Sequence, residues 1–214
     1  MKELYLIRHG SLNAVCTGKL VGQNDQPLSE KGIEEAKACG RFLHNAGIEA
    51  AYSGNLKRVL ETVEAVRSAA SDIPIPRIDT RLNECDFGLW CMKDASTMDD
   101  SEKEIFAQWN MGNWNFSFPG GETMQAFADR TRAALNDIIK AEKDSERVAI
   151  FSHGGVIMSL LADITGLDRR YAFRLWLSRG AVAKVVFSDD KSHDGVVVQG
   201  GRLCMMIKPA DIIF

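Results

Sequence analysis

Two runs of consecutive apolar residues punctuate the chain, Leu4-Tyr5-Leu6-Ile7 and Val148-Ala149-Ile150-Phe151, and each is closed by a histidine followed by glycine: Arg8-His9-Gly10 and Ser152-His153-Gly154-Gly155. Unbroken apolar runs of this length, bounded by glycine, predict strands buried on both faces, as in a parallel sheet. Elsewhere the period is helical. Ile33, Ala36, Phe42, Leu43 and Ala46 share one face of a helix that Ser29 caps and Gly47 ends. A strand at 49–52 leads to a second helix from Asn55, with Leu56, Val59, Leu60, Val63 and Val66 on its apolar face. An extended piece at 77–78 follows Pro74 and Pro76. Residues 122–143 then form a long amphipathic helix, and 154–165 a helix apolar nearly all round that Gly166 terminates. Strands at 181–188, 196–199 and 203–207 complete the chain, joined by turns at Asp189-Asp190 and Gly200-Gly201. Strands alternating with helices make this an α/β protein. In open α/β sheets ligands collect at the carboxyl ends of the strands, which places both His-Gly pairs at one crevice.

The stretch 93–121 breaks the alternation. It mixes acidic and polar residues with Trp109, Trp114, Phe116 and Phe118 and ends in Pro119-Gly120-Gly121, which reads as an insertion packed over a site. With 214 residues the expected organisation is one domain, 1–214, carrying that insertion. A formal charge of −3, with lysines and arginines scattered among acidic neighbours, argues against a nucleic-acid partner. No apolar stretch reaches the roughly 20 residues that span a bilayer, and no basic-then-apolar leader precedes the first strand, so no membrane association and a cytoplasmic location are expected. The five cysteines are odd in number and include no CxxC pair, which predicts reduced thiols rather than disulfides or a zinc knuckle.

Candidate chemistry follows from charge placed against pattern. Arg8, ahead of the first histidine, brings a planar guanidinium able to grip phosphate or carboxylate through paired hydrogen bonds. Arg58 falls in the first turn of its helix, facing the positive end of the dipole, an unfavourable position unless an anion binds beside it; an arginine looping into solvent is the plainer alternative. His153, read alone, is a buried histidine satisfied by backbone groups, but its Gly-Gly successor and helix start make an anion site where a substrate comes close. His44 and His193 read as a helix-surface and a turn residue. No two histidines have metal-ligand spacing, so no metal site is expected.

Six blocks in order carry a resemblance. They are Leu6-Ile7-Arg8-His9-Gly10; Gly22 with Asp25-Gln26-Pro27-Leu28-Ser29 and Gly32; Tyr52-Ser53-Gly54-Asn55-Leu56-Lys57-Arg58 with Thr62; Leu82-Asn83-Glu84 with Phe87-Gly88-Leu89-Trp90; Pro119-Gly120-Gly121-Glu122-Thr123; and Ser152-His153-Gly154-Gly155. Together they resemble the histidine phosphatase superfamily, also called phosphoglycerate-mutase-like, and most nearly its broad-specificity and alpha-ribazole phosphatases. The resemblance implies a three-layer α/β/α sandwich with a mostly parallel central sheet, and a phosphohistidine intermediate needing no metal or other cofactor. It implies His9 as nucleophile, Arg8, Arg58 and His153 as holders of the transferring phosphoryl group, and Glu84 as proton donor. It further implies phosphate or substrate contacts from Gly154, Gly22 and Ser11. Physical chemistry agrees with each role. Fixed cations and N–H donors stabilise the charge spread over a phosphoryl transition state. Neighbouring guanidinium groups keep a histidine neutral, hence nucleophilic. One carboxyl group protonates the leaving oxygen and later deprotonates water.

The chain departs from the family pattern at four places. Ser11 and Val15 replace an acidic residue and an asparagine, although Asn13 lies between them. Lys19 stands where an arginine is usual, and Trp90-Cys91-Met92 replaces Trp-Glu-Gly.

The leading expectation is therefore a phosphomonoesterase acting on a small-molecule phosphate ester, alpha-ribazole phosphate or a sugar phosphate among the candidates, with Trp109, Trp114 and Phe116 covering an apolar or ring-bearing leaving group. A phosphoglycerate mutase is the first alternative. Family mutases carry a longer, arginine-bearing segment before the Pro-Gly-Gly block, whereas 93–118 contains no arginine here. A non-catalytic phosphate-binding protein is the second. An apolar edge strand or the tryptophan-bearing insertion is able to pack on a second copy, which makes a homodimer a candidate assembly.

Overall fold

The computed structural model describes residues 3–110, 113, 115–187 and 201–207. Six strands form one sheet: β1 (Glu3–Arg8), β2 (Ala50–Ser53), β3 (Arg77–Ile78), β4 (Arg147–Ser152), β5 (Val182–Phe187) and β6 (Gly201–Ile207), in the order β3-β2-β4-β1-β5-β6. The first four in that order run parallel, and β5 pairs antiparallel with both β1 and β6. Side chains alternate across β1 and β4 as the period of two demands. Leu4, Leu6, Val148 and Ile150 enter one hydrophobic cluster, while Tyr5, Ile7, Ala149 and Phe151 enter another on the opposite face. Both faces are covered, which is why the runs read as continuously apolar.

Helices α1 (Glu30–Leu43) and α2 (Lys57–Ala69) pack together over the second cluster, through Ala36, Cys39 and Leu43 of one and Val59 and Val66 of the other. On the other side α4 (Met124–Ala141) supplies Phe127, Leu135 and Ile138, and α5 (Gly154–Thr165) supplies Val156, Ile157, Leu160 and Leu161. The result is the three-layer α/β/α sandwich with a mostly parallel sheet. The insertion holds α3 (Asp100–Asn110) and is fastened by aromatic contacts: Trp109 lies edge-on to Phe118 at 5.4 Å and to Phe106 at 5.2 Å, and Phe118 packs on Phe87 at 4.7 Å.

Several boundaries move. The Ser29 hydroxyl does cap α1, accepting from Gly32 N at 3.1 Å, but the helix ends at Leu43, and Gly47 sits three residues past the cap at His44 with φ +71°. Helix α2 starts at Lys57 rather than Asn55: Leu56 is its N-cap residue and has no capping side chain, and Asp25 of a distant loop accepts from Lys57 N through Oδ1 at 2.6 Å instead. Helix α4 starts at Met124 rather than Glu122, capped by Thr123, whose hydroxyl accepts from Ala126 N. Gly166 closes α5 in the left-handed conformation, as expected. The predicted strand at 196–199, the turn at Asp189-Asp190, His193 and Trp114 lie outside the described residues.

Candidate active site

Strands β1 and β4 are neighbours, but the chain leaves them in opposite directions. After β1 it enters α1 on one face, and after β4 it enters α5 on the other. Such a divergence opens a crevice at the carboxyl ends of the two strands. His9 and His153 stand there, each one residue past its strand, with His9 N donating to Ser152 O at 3.0 Å and ring centroids 5.3 Å apart.

Hydrogen bonds select the tautomer of each ring. His9 Nδ1 lies 2.8 Å from Gly10 O; a carbonyl only accepts, so Nδ1 carries the proton and Nε2 keeps its lone pair. Arg58 Nε donates to His153 Nδ1 at 3.2 Å, which puts the proton of His153 on Nε2. That Nε2 is buried with no hydrogen-bond partner among the described residues, and so is Arg8 Nε. An unpaired buried N–H costs about 1–3 kcal/mol. Two of them beside one imidazole lone pair form a socket for a group rich in acceptor oxygens.

The arginines are held by backbone carbonyls. Arg58 donates to Gly22 O at 2.5 Å and Asn24 O at 2.8 Å, and Arg8 donates to Leu177 O at 2.5 Å while lying 4.2 Å from the centre of the Trp176 ring. Among the described residues neither ends on a carboxylate, so both keep their charge for the crevice. Burial, reinforced by Arg179 and Arg58 and opposed by Glu84, lowers the Arg8 pKa to about 10, which leaves it a cation at neutrality. Burial first, then the charges of Arg58 and Arg8, hold His9 well below the ordinary histidine value; burial, Arg58 and His9 do the same for His153. Both imidazoles are neutral at pH 7.

Glycines 154 and 155 leave room for neighbouring side chains, and Gly155 also lines the cavity of the site. A β-carbon on Gly154 would lie 2.7 Å from the Arg8 guanidinium carbon, and one on Gly155 would lie 2.4 Å from Glu84 Oε1. The start of α5 is thus open to the side chains on which the site depends. Glu84 Oε2 accepts from Gly155 N at 3.1 Å, so a side chain of the protein itself occupies this helix terminus.

The loop bearing Glu84 is gripped at every carbonyl. Arg130 of α4 donates to Arg81 O at 2.7 Å, Asn83 O at 2.8 Å and Glu84 O at 3.0 Å; the intervening Leu82 O accepts from the Ser152 hydroxyl at 2.7 Å. Arg130 is itself clamped by Glu122, at 2.6 and 2.8 Å, and Glu122 also accepts from Asp86 N. The Pro-Gly-Gly-Glu block therefore acts by bracing the acidic loop.

A cavity of about 190 Å³ opens onto these groups, and Arg8, His9, Gly22, Arg58 and Glu84 line it. His153 and Gly154 stand behind that wall, fully buried or nearly so. Ser11 lies off the wall too: its N–H donates to Glu35 and its carbonyl receives Ser29 at the start of α1. Val15 and Asn13 are exposed, while Lys19 is on the wall. Of the aromatic residues expected over the leaving group, Trp109 lines the cavity, but Phe116 is buried against Trp90 and Phe118 within the core. Two residues escaped the sequence reading: Arg130, and Arg179, a cavity-lining cation just before β5 whose charge reaches His9, Arg8 and Arg58. Among the described residues no three His, Cys, Asp or Glu side chains gather to hold a metal, Cys16, Cys39, Cys85 and Cys91 are free thiols, and no helix is long and apolar enough to cross a membrane.

Comparison with known proteins places this geometry. Residues 4–195 match the model of the histidine phosphatase superfamily (branch 1). A protein of Salmonella newport named "Probable phosphoglycerate mutase GpmB" is 30% identical over 213 residues, covering 98% of this chain and 97% of that protein. The crystal structure of the alpha-ribazole phosphatase from Shigella flexneri superposes with a TM-score of 0.75 at 26% identity, covering 87% of this chain and 91% of its own. A mycobacterial glucosyl-3-phosphoglycerate phosphatase shares the fold, with a TM-score of 0.76 at 23% identity over 86% of this chain and 89% of its own.

Proposed function

This chain belongs to the histidine phosphatase superfamily, and we propose that within it the protein is a metal-independent phosphomonoesterase that hydrolyses a small-molecule phosphate ester through a phosphohistidine. One observation carries the reading: a neutral His9 whose Nδ1 proton is committed to Gly10 O, beside the buried, unpartnered N–H groups of Arg8 and His153.

In the proposed reaction His9 Nε2 attacks phosphorus in line with the ester oxygen. Arg8 and Arg58 meet the equatorial oxygens, where charge accumulates, and His153 offers its Nε2 proton from behind them. Arg179 adds a further positive charge at this end of the cavity. As the phosphorus–oxygen ester bond breaks, Glu84 gives its proton to the departing alkoxide. Water then enters, Glu84 takes a proton from it, and the resulting hydroxide displaces His9 from phosphorus. Inorganic phosphate leaves with both histidines returned to their starting tautomers.

Support for hydrolysis comes from the cavity wall, which is largely apolar beyond the phosphoryl end, and from the Shigella flexneri relative named as a phosphatase. Two observations favour the mutase reading: the name of the Salmonella newport relative, and the cations Lys19 and Arg179, which lie in the cavity although 93–118 contributes none. Hydrolysis is the better fit, because the rest of the wall beyond the phosphoryl end is apolar and suits a second anionic group poorly. Alpha-ribazole phosphate and sugar phosphates are the first esters to assay.

The decisive experiment quenches turnover of a radiolabelled phosphate ester within milliseconds. Label bound to His9 as an acid-labile, base-stable phosphoramidate is expected, together with loss of labelling and of phosphate release in His9→Ala. Rapid turnover with no labelled histidine would overturn the mechanism, and exchange of phosphate between the carbons of a phosphoglycerate without net release would make the protein a mutase.

A further inference from the structure

Beyond the phosphoryl end, the cavity wall changes character. Leu20, Phe87, Trp109, Met124, Phe127 and Met158 form it, contributed by five separate stretches of chain. Phe87, Met124, Phe127 and Met158 are themselves buried, so the wall is braced from behind. Phe87 and Trp109 meet edge-on with ring centroids 6.0 Å apart. Polar groups on this side are committed elsewhere: the Ser159 hydroxyl shares a hydrogen bond with Thr131 at 3.2 Å, and Gly155 N is taken by Glu84. Of the two further cations on the wall, Arg179 acts at the phosphoryl end, where its charge reaches Arg8, His9 and Arg58, and Lys19 acts on Asp94.

We propose that this half of the cavity is a leaving-group subsite for an apolar alcohol, flat or chain-like, so that the best substrates are aryl and alkyl phosphate monoesters rather than phosphoglycerates or sugar phosphates. The proposal rests on the phosphomonoesterase reading above and narrows it. A polyhydroxylated leaving group would surrender its water to a wall with few acceptors, and each hydroxyl left unpaired weakens binding about five- to a hundredfold. An added methylene instead strengthens binding by about three- to fourfold when fully buried. Methionines at 124 and 158 let the wall accept more than one shape, because the unbranched thioether adapts where a branched side chain does not. Trp109, Phe87 and Met158 are the residues that set this preference.

The test compares kcat/KM for 4-methyl-, 4-ethyl- and 4-butylphenyl phosphate, whose leaving groups have nearly equal acidity, with values for butyl phosphate, glycerol 3-phosphate and glucose 6-phosphate. The expected result is a rise of about two- to fourfold per methylene until the subsite is full, and at least a tenfold preference for butyl over glycerol phosphate. Met158→Gln, of similar volume, and Trp109→Ala should both flatten the slope against chain length. Binding of methyl-, butyl- and hexylphosphonate, followed by calorimetry, measures the same slope without turnover. A flat or falling series, or sugar phosphates preferred, would overturn the subsite while leaving the phosphatase intact. Phosphonates that bind with the rising slope to an enzyme that releases no phosphate from any ester would uphold the subsite and reject the phosphatase reading.

Discussion

At the scale of single residues, the site depends on which atom of each side chain is already committed. Gly10 O engages one nitrogen of His9 and Arg58 one nitrogen of His153, so the two rings present opposite faculties, a lone pair and a proton. Glu84 has its two oxygens on Cys85 N and Gly155 N. Gly155→Ala is therefore expected to displace the Glu84 carboxyl without touching the histidines. Like Glu84→Gln, it should slow alkyl phosphates by about a hundredfold or more and phenolic esters much less, since these leave without full protonation; equal losses for both ester types in a steady-state assay would speak against Glu84 as proton donor. Arg58 stood out in the sequence because its charge contradicts its place in the first turn of α2, and the two histidines because each closes an apolar run, whereas Glu84 was marked only by the resemblance of its block to the family. Arg130 and Arg179 were not legible. Arg130 works through backbone carbonyls almost fifty residues away, and nothing in the order of side chains records where a carbonyl points.

At the scale of elements, the acidic loop and α4 behave as one piece. Four consecutive carbonyls, from Arg81 to Glu84, are held by Arg130 and Ser152, and the clamp between Arg130 and Glu122 continues to Asp86 N. Arg130→Ala should lower kcat for alkyl esters by ten- to a hundredfold, in the range that a displacement of about 1 Å produces, with KM little changed and the sensitivity to leaving-group acidity steeper than in the wild type. Arg130→Lys should not restore the rate, because an ammonium lacks the planar fork that spans three carbonyls. A kcat loss that is the same for every leaving group would make Arg130 a stabilising residue only. Helix starts show where local reading succeeds and where it stops. Ser29 caps α1 from within its own segment and was legible, whereas α2 borrows Asp25 from thirty-two residues earlier, so its first turn was placed two residues too soon.

At the scale of the whole molecule, the alternation of strands and helices sufficed for the layers, and the unbroken apolar runs for the parallel core. Strand order was a different matter: β4 sits between β1 and β2, far from either in sequence, and no local period encodes that insertion. Burying two neutral imidazoles in this core makes stability depend on pH. Each has a folded-state pKa lowered from 6.5, so the folded chain refuses protons that the unfolded chain accepts. The stabilising difference is fully present above about pH 6.5 and is lost as the pH falls toward the depressed folded values. Stability should therefore fall between pH 6 and pH 5, by at most about 1.4 kcal/mol per pH unit for each site. Urea titrations across that range should show this fall, and His153→Gln should remove about half of it; a mutant slope equal to that of the wild type would mean that His153 is protonated in the folded state.

The pair of buried N–H groups at Arg8 and His153 has a final consequence for the resting enzyme. Any tetrahedral oxyanion that accepts from both relieves both at once, and orthophosphate, the product of the proposed hydrolysis, is such an ion. The protein should consequently melt at a higher temperature in millimolar phosphate than in chloride of equal ionic strength, by the logarithmic law of ligand linkage. The proposed hydrolysis would then be throttled by its own product, rising when phosphate is scarce.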